Sequence, residues 1–222
     1  MPSSFTEMPH ASVDRPSSRI TASLLIGFLA VAAGARADTL TGRELVAALR
    51  SGGYVIVMRH ARSPSAPPDA NSANPDNPTH ERQLDEAGRA SAREMGEALR
   101  RLRIRIGRVL SSPTYRALET IRLGQFGSPQ TYPQLGDAGH SMQADASGQR
   151  GAWLRKRVST VPMRGANTLI VTHLPNIAEA FPQEAQGLGE GEALIFRPDG
   201  KGTVTFIARV KIDEWSRWVG LH

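Results

Sequence analysis

The feature that most constrains this chain is the alternation of short β-branched apolar runs with helical patterns. Tyr54-Val55-Ile56-Val57-Met58 follows Gly52-Gly53, Val109-Leu110 follows a charged amphipathic stretch, and Thr168-Leu169-Ile170-Val171-Thr172 follows another. Uninterrupted apolar runs of this length read as strands buried on both faces, the pattern of a parallel sheet covered by helices.

The intervening segments supply those helices. Asp38 to Ser51 carries Thr41 as an N-cap, Glu44 three residues on, and Leu45, Val46 and Leu49 on one face. A longer helix is predicted from Asp85 to about Leu102, with Ala87, Ala90, Met95, Ala98, Leu99 and Leu102 as its apolar stripe. Further helices are predicted from about Gln149 to Val161 and from Asn176 to Phe181. Strands at Ala193 to Phe196 and Thr203 to Ile212 flank Asp199-Gly200-Lys201-Gly202, a hairpin turn. The expected fold is a three-layer α/β sandwich, a mainly parallel sheet with an antiparallel edge and helices on both faces.

The first 37 residues stand apart from this pattern. Ile20 to Gly34 is an apolar segment preceded by Arg15 and Arg19 and closed by Ala35-Arg36-Ala37, which reads as an export signal with a small-x-small cleavage site. Its apolar core is short for a bilayer span, so removal is expected rather than stable insertion, and the destination is periplasmic or secreted. An uncleaved anchor is the rival reading. Cleavage after Ala37 leaves 185 of the 222 residues, 38 to 222, enough for a single domain with a substantial core. The chain has no cysteine, so an exported form rests on packing alone.

The whole chain has a net charge of +6, and loss of Arg15, Arg19 and Arg36 together with Glu7 and Asp14 lowers this to +5. Only Lys156, Lys201 and Lys211 are lysines, so arginine supplies the surplus. A basic balance favours acidic partners. The Arg100-Arg101-Leu102-Arg103-Ile104-Arg105 run has few aromatics near it and no recognition motif, so it reads as a solvated helix end, and no nucleic-acid partner is expected.

Three strand ends share one chemical character: Arg59-His60, Ser111-Ser112 leading to Arg116, and Thr172-His173. Parallel strands bring their carboxyl ends to one rim, where ligands of open α/β sheets bind. A rim carrying two arginines and two histidines suits a phosphate, because guanidinium forks match its oxygens two at a time. An imidazole among guanidiniums keeps its lone pair, which makes His60 a candidate nucleophile on phosphorus. His173, in a charged or donor form, is then placed to stabilise the equatorial oxygens of the transition state. For His173 alone, a structural hydrogen-bonding role is the simpler reading, and the constellation reverses that preference. His10, His80, His140 and His222 have no such context.

Arg59-His60-Ala61, Ser111-Ser112-Pro113-Thr114-Tyr115-Arg116-Ala117-Leu118-Glu119-Thr120 and Val171-Thr172-His173 resemble, in order and spacing, three motifs of the histidine phosphatase, or phosphoglycerate-mutase-like, superfamily. The resemblance spans about Tyr54 to Phe206. It implies a metal-independent, cofactor-free phosphomonoester hydrolase with His60 as the phosphorylated nucleophile and Arg59, Arg116 and His173 completing the phosphate pocket. It also implies substrate contacts from Ser112 and from Arg82, in the stretch Glu81-Arg82-Gln83-Leu84, although pairing of Arg82 with Glu81 or Asp85 is an equal reading. The family's proton donor has its nearest match at Asp137, in Leu135-Gly136-Asp137, with Glu81 as the competing acid. Ala61 replaces the more usual glycine. Leu174 stands where phytase-like relatives carry a donor aspartate, which argues against that substrate class. A metal held by His60, His173 and Asp137 is disfavoured by the neighbouring arginines. Substrates of the implied kind are small-molecule or protein phosphomonoesters. A non-catalytic phosphate or phosphosugar binder and a phosphoryl-transfer mutase are the alternatives.

The segments Ser63 to Asn77, rich in Pro, Ser, Ala and Asn, and Gly124 to Gly148 are expected to set specificity, the first as a surface loop and candidate lid.

Overall fold

The computed structural model describes residues 39–137 and 149–221. The expected leader, and His10, His140 and His222, lie outside the described residues. A six-stranded mixed sheet organises the molecule. Its strands are β1 (Val55–Arg59), β2 (Ile106–Ser111), β3 (Gln130–Thr131), β4 (Asn167–Thr172), β5 (Ala193–Pro198) and β6 (Val204–Val210), in the order β3-β2-β4-β1-β5-β6. The pairs β3/β2, β2/β4 and β4/β1 are parallel, while β5 runs antiparallel to both β1 and β6. This is the mainly parallel sheet with an antiparallel edge that the alternation of runs predicts.

The helices are α1 (Gly42–Ser51), α2 (Glu86–Arg101), α3 (Tyr115–Gly124), α4 (Gln149–Val158), α5 (Leu174–Ala180) and α6 (Glu214–Trp218). Strand periodicity divides the core between the two faces of the sheet. Ile56, Met58, Leu169 and Val171 pack with α1, α2, α3 and α6, whereas Val55, Val57, Ile170 and Leu194 pack with α4 and α5. Every residue of β4 is buried, which is why its sequence shows no polar alternation.

Helix α2 corrects one expectation. Ala87 and Ala90 are exposed, and the buried stripe is Gly88, Ala92, Met95, Gly96, Ala98 and Leu99. The glycines belong to the contact face because a Cβ at Gly96 would meet the Gly124 carbonyl oxygen at 1.9 Å and one at Gly88 would meet the Arg62 carbonyl oxygen at 2.1 Å. Close approach, not hydrophobicity, selects those positions. Asp85 accepts the Gly88 N–H and caps the helix. Thr41 stands at the N-cap of α1 but makes no side-chain capping bond.

Helix α5 starts at Leu174, two residues before the predicted start, with Pro175 in its first turn, where a missing N–H costs nothing. Trp215 and Trp218 lie on α6, an element the sequence pattern did not reveal, and meet edge-on with ring centroids 5.2 Å apart. Among the described residues no helix is long and apolar enough to cross a membrane.

Candidate active site

Register brings the three polar strand ends together. Arg59 of β1 lies opposite Thr172 of β4, and Ser111 of β2 opposite Val171. Past the ladder, the His60 N–H donates to the Thr172 carbonyl at 3.1 Å and the Ser112 N–H to the Val171 carbonyl at 2.9 Å. The carboxyl ends of the three central strands are thus tied by backbone bonds one residue before their polar side chains diverge.

His60 and His173 are both buried, with ring centroids 5.2 Å apart and planes inclined by 60°. Arg116, 1% exposed, lies against both rings. Its Nε donates to His60 Nε2 at 3.3 Å and its Nη2 to His173 Nδ1 at 3.2 Å. Its Nη1 is buried with no hydrogen-bond partner among the described residues. An unpaired buried guanidinium N–H is costly, and it is the donor an incoming anion would satisfy.

His60 Nδ1 sits 2.8 Å from the carbonyl oxygen of Ala61, which accepts its proton and leaves Nε2 unprotonated, its lone pair accepting from Arg116 Nε. Burial, followed by the Arg116, Arg59 and Arg82 guanidiniums, pulls His60 down to about 3 against the Ala61 hydrogen bond. Burial and Arg116 pull His173 down to about 2. Both rings are neutral at ordinary pH, so the charged form of His173 expected as one option is not the resting one. Arg116 donates to Nδ1 of His173, and this assigns its proton to Nε2, 2.9 Å from Ser112 Oγ.

The other sequence-derived residues divide. Ser112 Oγ is buried and engaged with His173, with Thr114 Oγ1 at 3.1 Å and with the Thr114 N–H, so it orients the imidazole rather than lining open space. Asp137 is also buried, with Oδ2 at 2.9 Å from Arg116 Nη2. Thr172 Oγ1 donates to the Leu135 carbonyl and Asn176 Nδ2 to the Gly136 carbonyl, and these bonds fix the backbone that delivers Asp137. Glu81, the competing acid, accepts the Tyr115 N–H at 3.0 Å at the start of α3.

Arg59 and Arg82 stand at the mouth. Arg59 donates to the Leu188 carbonyl and to Glu190 Oε1, and Arg82 to the carbonyls of Pro64 and Ser63. Among the described residues Arg82 pairs with neither Glu81 nor Asp85; its carboxylate neighbour is Glu190, 3.9 Å away.

Several contributors escaped the sequence reading. Thr114 Oγ1 lies 3.2 Å from His173 Nε2, and Thr120 Oγ1 accepts the Ala61 N–H while donating to the Arg116 carbonyl. Both lie inside the Ser111 to Thr120 block, so their spacing carried a signal. Glu119 accepts the Leu84 N–H and the Asn74 amide, and burial pushes its carboxyl up. Asn74 also donates to the Tyr115 hydroxyl, so the 63–77 loop is pinned to α3 near its C-terminal end. Glu190 had no signal at all.

Residues 55–137 match the histidine phosphatase superfamily (branch 1). The match runs from the start of β1 to Asp137 and takes in His60 and Arg116. The order of the family motifs along the chain is the order in which β1, α3 and β4 deliver His60, Arg116 and His173.

Among solved structures, the protein histidine phosphatase SixA complexed with tungstate is 22% identical, with a TM-score of 0.52 over 72% of this chain and 98% of its own. A candidate α-ribazole-5'-P phosphatase from Escherichia coli str. K-12 substr. MG1655 is 16% identical, with a TM-score of 0.51 over 72% of this chain and 98% of its own. At these identities the likeness is one of fold. A search of curated proteins gave no match.

Proposed function

We propose that the chain is an exported phosphomonoester hydrolase that works without a metal ion, through a phosphohistidine formed on His60. The observation that carries this reading is the state of the His60 ring: Nδ1 is committed to the Ala61 carbonyl, Nε2 is unprotonated, and a buried guanidinium with an unpartnered N–H lies beside it. The tungstate complex of the similar SixA supports a tetrahedral oxyanion as the ligand class. Three guanidiniums around the rim leave the donor set unsuited to a cation.

In the first step the His60 Nε2 lone pair attacks phosphorus and the bond from phosphorus to the leaving oxygen breaks, that oxygen taking up a proton from solvent water. Arg116 and Arg59 hold the equatorial oxygens, and His173, its Nε2–H given to Ser112 and its Nδ1 accepting from Arg116, keeps that guanidinium aimed at them. In the second step water attacks phosphorus, the P–N bond breaks, and orthophosphate and a neutral imidazole are regenerated.

Replacement of His60 by Ala should abolish hydrolysis of an aryl phosphate while the chain stays folded. Alkaline quench of the wild-type enzyme during turnover should retain label on histidine. Full activity in the variant overturns the assignment, whereas binding of phosphate without turnover in the wild type favours the non-catalytic binder. Export is tested by the N-terminus of the protein recovered outside the cytoplasm, expected at Asp38.

The hydrogen bonding of the two carboxyls favours a second reading within the same activity. Asp137 and Glu81 are both held by donors, and a substrate whose leaving atom is the nitrogen of a phosphoramidate needs less help from an acid than an alkyl ester does. Phosphorylated imidazole should then be cleaved faster than phenyl phosphate.

A further inference from the structure

Glu190 is the only carboxylate that the described contacts bring to the two arginines at the mouth of the pocket. Its Oε1 is 3.2 Å from Arg59 Nη2 and 3.9 Å from Arg82 Nη2, and its Oε2 accepts the Ser63 N–H at 3.2 Å. The turn that carries it is fixed to the catalytic strand, because the Gly191 N–H donates to the carbonyls of Arg59 and His60. The neighbouring Glu192 faces away, paired with Arg209 and bonded to the Gly189 N–H. All three side chains at the mouth, Arg59, Arg82 and Glu190, are about a quarter exposed or less.

These positions set the charge that an anion meets. Arg59, Arg82 and Arg116 are cationic, Asp137 and Glu190 supply two negative charges, and the His60 and His173 rings are neutral, held there by burial and by Arg116. Among the described residues these side chains leave a surplus of one positive charge, which balances a singly charged phosphoryl group and leaves a doubly charged one in excess.

We propose that Glu190 is an internal counter-charge that selects the ionisation state of the phosphoryl group, making the site take the monoanion in preference to the dianion. The proposal deepens the phosphatase reading and rests on it. Glu190 touches the arginines that hold the anion, so it acts through them as a positioning residue, and its negative charge raises the cost of each extra charge on the ligand. The sign of the effect differs from that of a mere scaffold. A scaffold lost from beside Arg59 weakens every anion alike, while a counter-charge removed strengthens both and the dianion more.

The test is calorimetric binding of inorganic phosphate to the unmodified chain and to Glu190→Gln, at about pH 5 and about pH 8, on either side of the second ionisation of a phosphate. Neither histidine titrates in that window. Wild type is expected to bind phosphate no tighter at the higher pH than at the lower. Glu190→Gln is expected to gain about tenfold at the higher pH and about threefold at the lower, since the energy scales with the charge on the ligand, the scale of one unit charge a few ångströms away at a partly exposed site. Glu192→Gln, on the same turn but facing Arg209, should leave the ratio unchanged. Equal weakening at both pH values, or wild-type binding that tightens about tenfold on alkalinisation, overturns the proposal and leaves the phosphatase reading standing. Failure of the wild type to bind phosphate at either pH overturns both.

Discussion

Arg116 and Asp137 form a buried ion pair, Nη2 to Oδ2 at 2.9 Å, at the centre of the phosphate pocket. A carboxylate so placed aims the guanidinium that touches both histidines. Removing one partner of a buried pair strands the other charge, so Asp137→Ala should cost about 3–5 kcal/mol of stability, read by denaturant unfolding. Asp137→Asn keeps an acceptor for Arg116 and should fold. If the carboxylate only positions Arg116, Asp137→Asn slows p-nitrophenyl phosphate and phenyl phosphate by the same factor. A selective loss on phenyl phosphate, the poorer leaving group, would return Asp137 to the role of proton donor.

Thr120 joins the turn after His60 to the first turn of α3, accepting the buried Ala61 N–H at 3.1 Å and donating to the Arg116 carbonyl at 2.8 Å. Thr120→Val leaves that N–H unsatisfied at nearly unchanged side-chain volume. The expected cost is about 1–3 kcal/mol in unfolding free energy, and kcat on an aryl phosphate should fall more than KM rises. Unchanged kcat would show that the bond serves folding alone.

The neutral histidines make stability depend on acidity with a defined sign. In the unfolded chain each imidazole takes a proton as pH falls below 6.5, whereas in the folded chain His60 resists to about 3 and His173 to about 2. Protons therefore favour the unfolded state inside that window. Stability is complete above pH 6.5 and declines as pH falls toward 3, with each histidine contributing a slope of about 1.4 kcal/mol per pH unit. Replacing His60 by Asn should remove one such contribution from unfolding measured in phosphate-free buffer. An unaltered slope would contradict the burial assigned to the ring.

Gly96 of α2 touches α3 through the Gly124 carbonyl oxygen, where a Cβ would stand 1.9 Å away. Gly96→Ala must push the two helices apart, at a cost of about 1–3 kcal/mol or more, despite alanine's better helix propensity. Thermal unfolding should register that loss, and kcat per folded molecule is expected to fall as well, because the displaced α3 carries Arg116. A stabilised variant would refute the close packing of α2 on α3.

Much of the fold was legible because buried strands and amphipathic helices write their burial into hydrophobic period. β1, β4 and β5 were found within two residues of their ends, and the hairpin before β6 was announced by Asp199-Gly200, where the Asp199 carboxylate accepts the N–H groups of Lys201 and Thr203. Where period and shape disagree the reading failed, as in α2: Ala87 and Ala90 looked like stripe residues, but the helix turns its glycines inward. Helix α6 is five residues long, too short for any period to declare it.

In the site, His60, Arg116 and His173 could be named from sequence because each follows a strand at the carboxyl edge of one sheet, and strand direction alone sends such residues to a common rim. Glu190 and Asp137 are different. Each rides an irregular segment whose path is set by long-range bonds, Gly191 to the end of β1 and Asn176 to Gly136, so no local pattern foretold their partners. The amino-acid order by itself determined the layered fold, the rim and the chemistry of its strand ends, since burial and chain direction are encoded residue by residue. Only the tertiary structure decided which carboxylate meets which guanidinium and which imidazole nitrogen keeps its lone pair, because those outcomes depend on distances between groups that the sequence holds far apart.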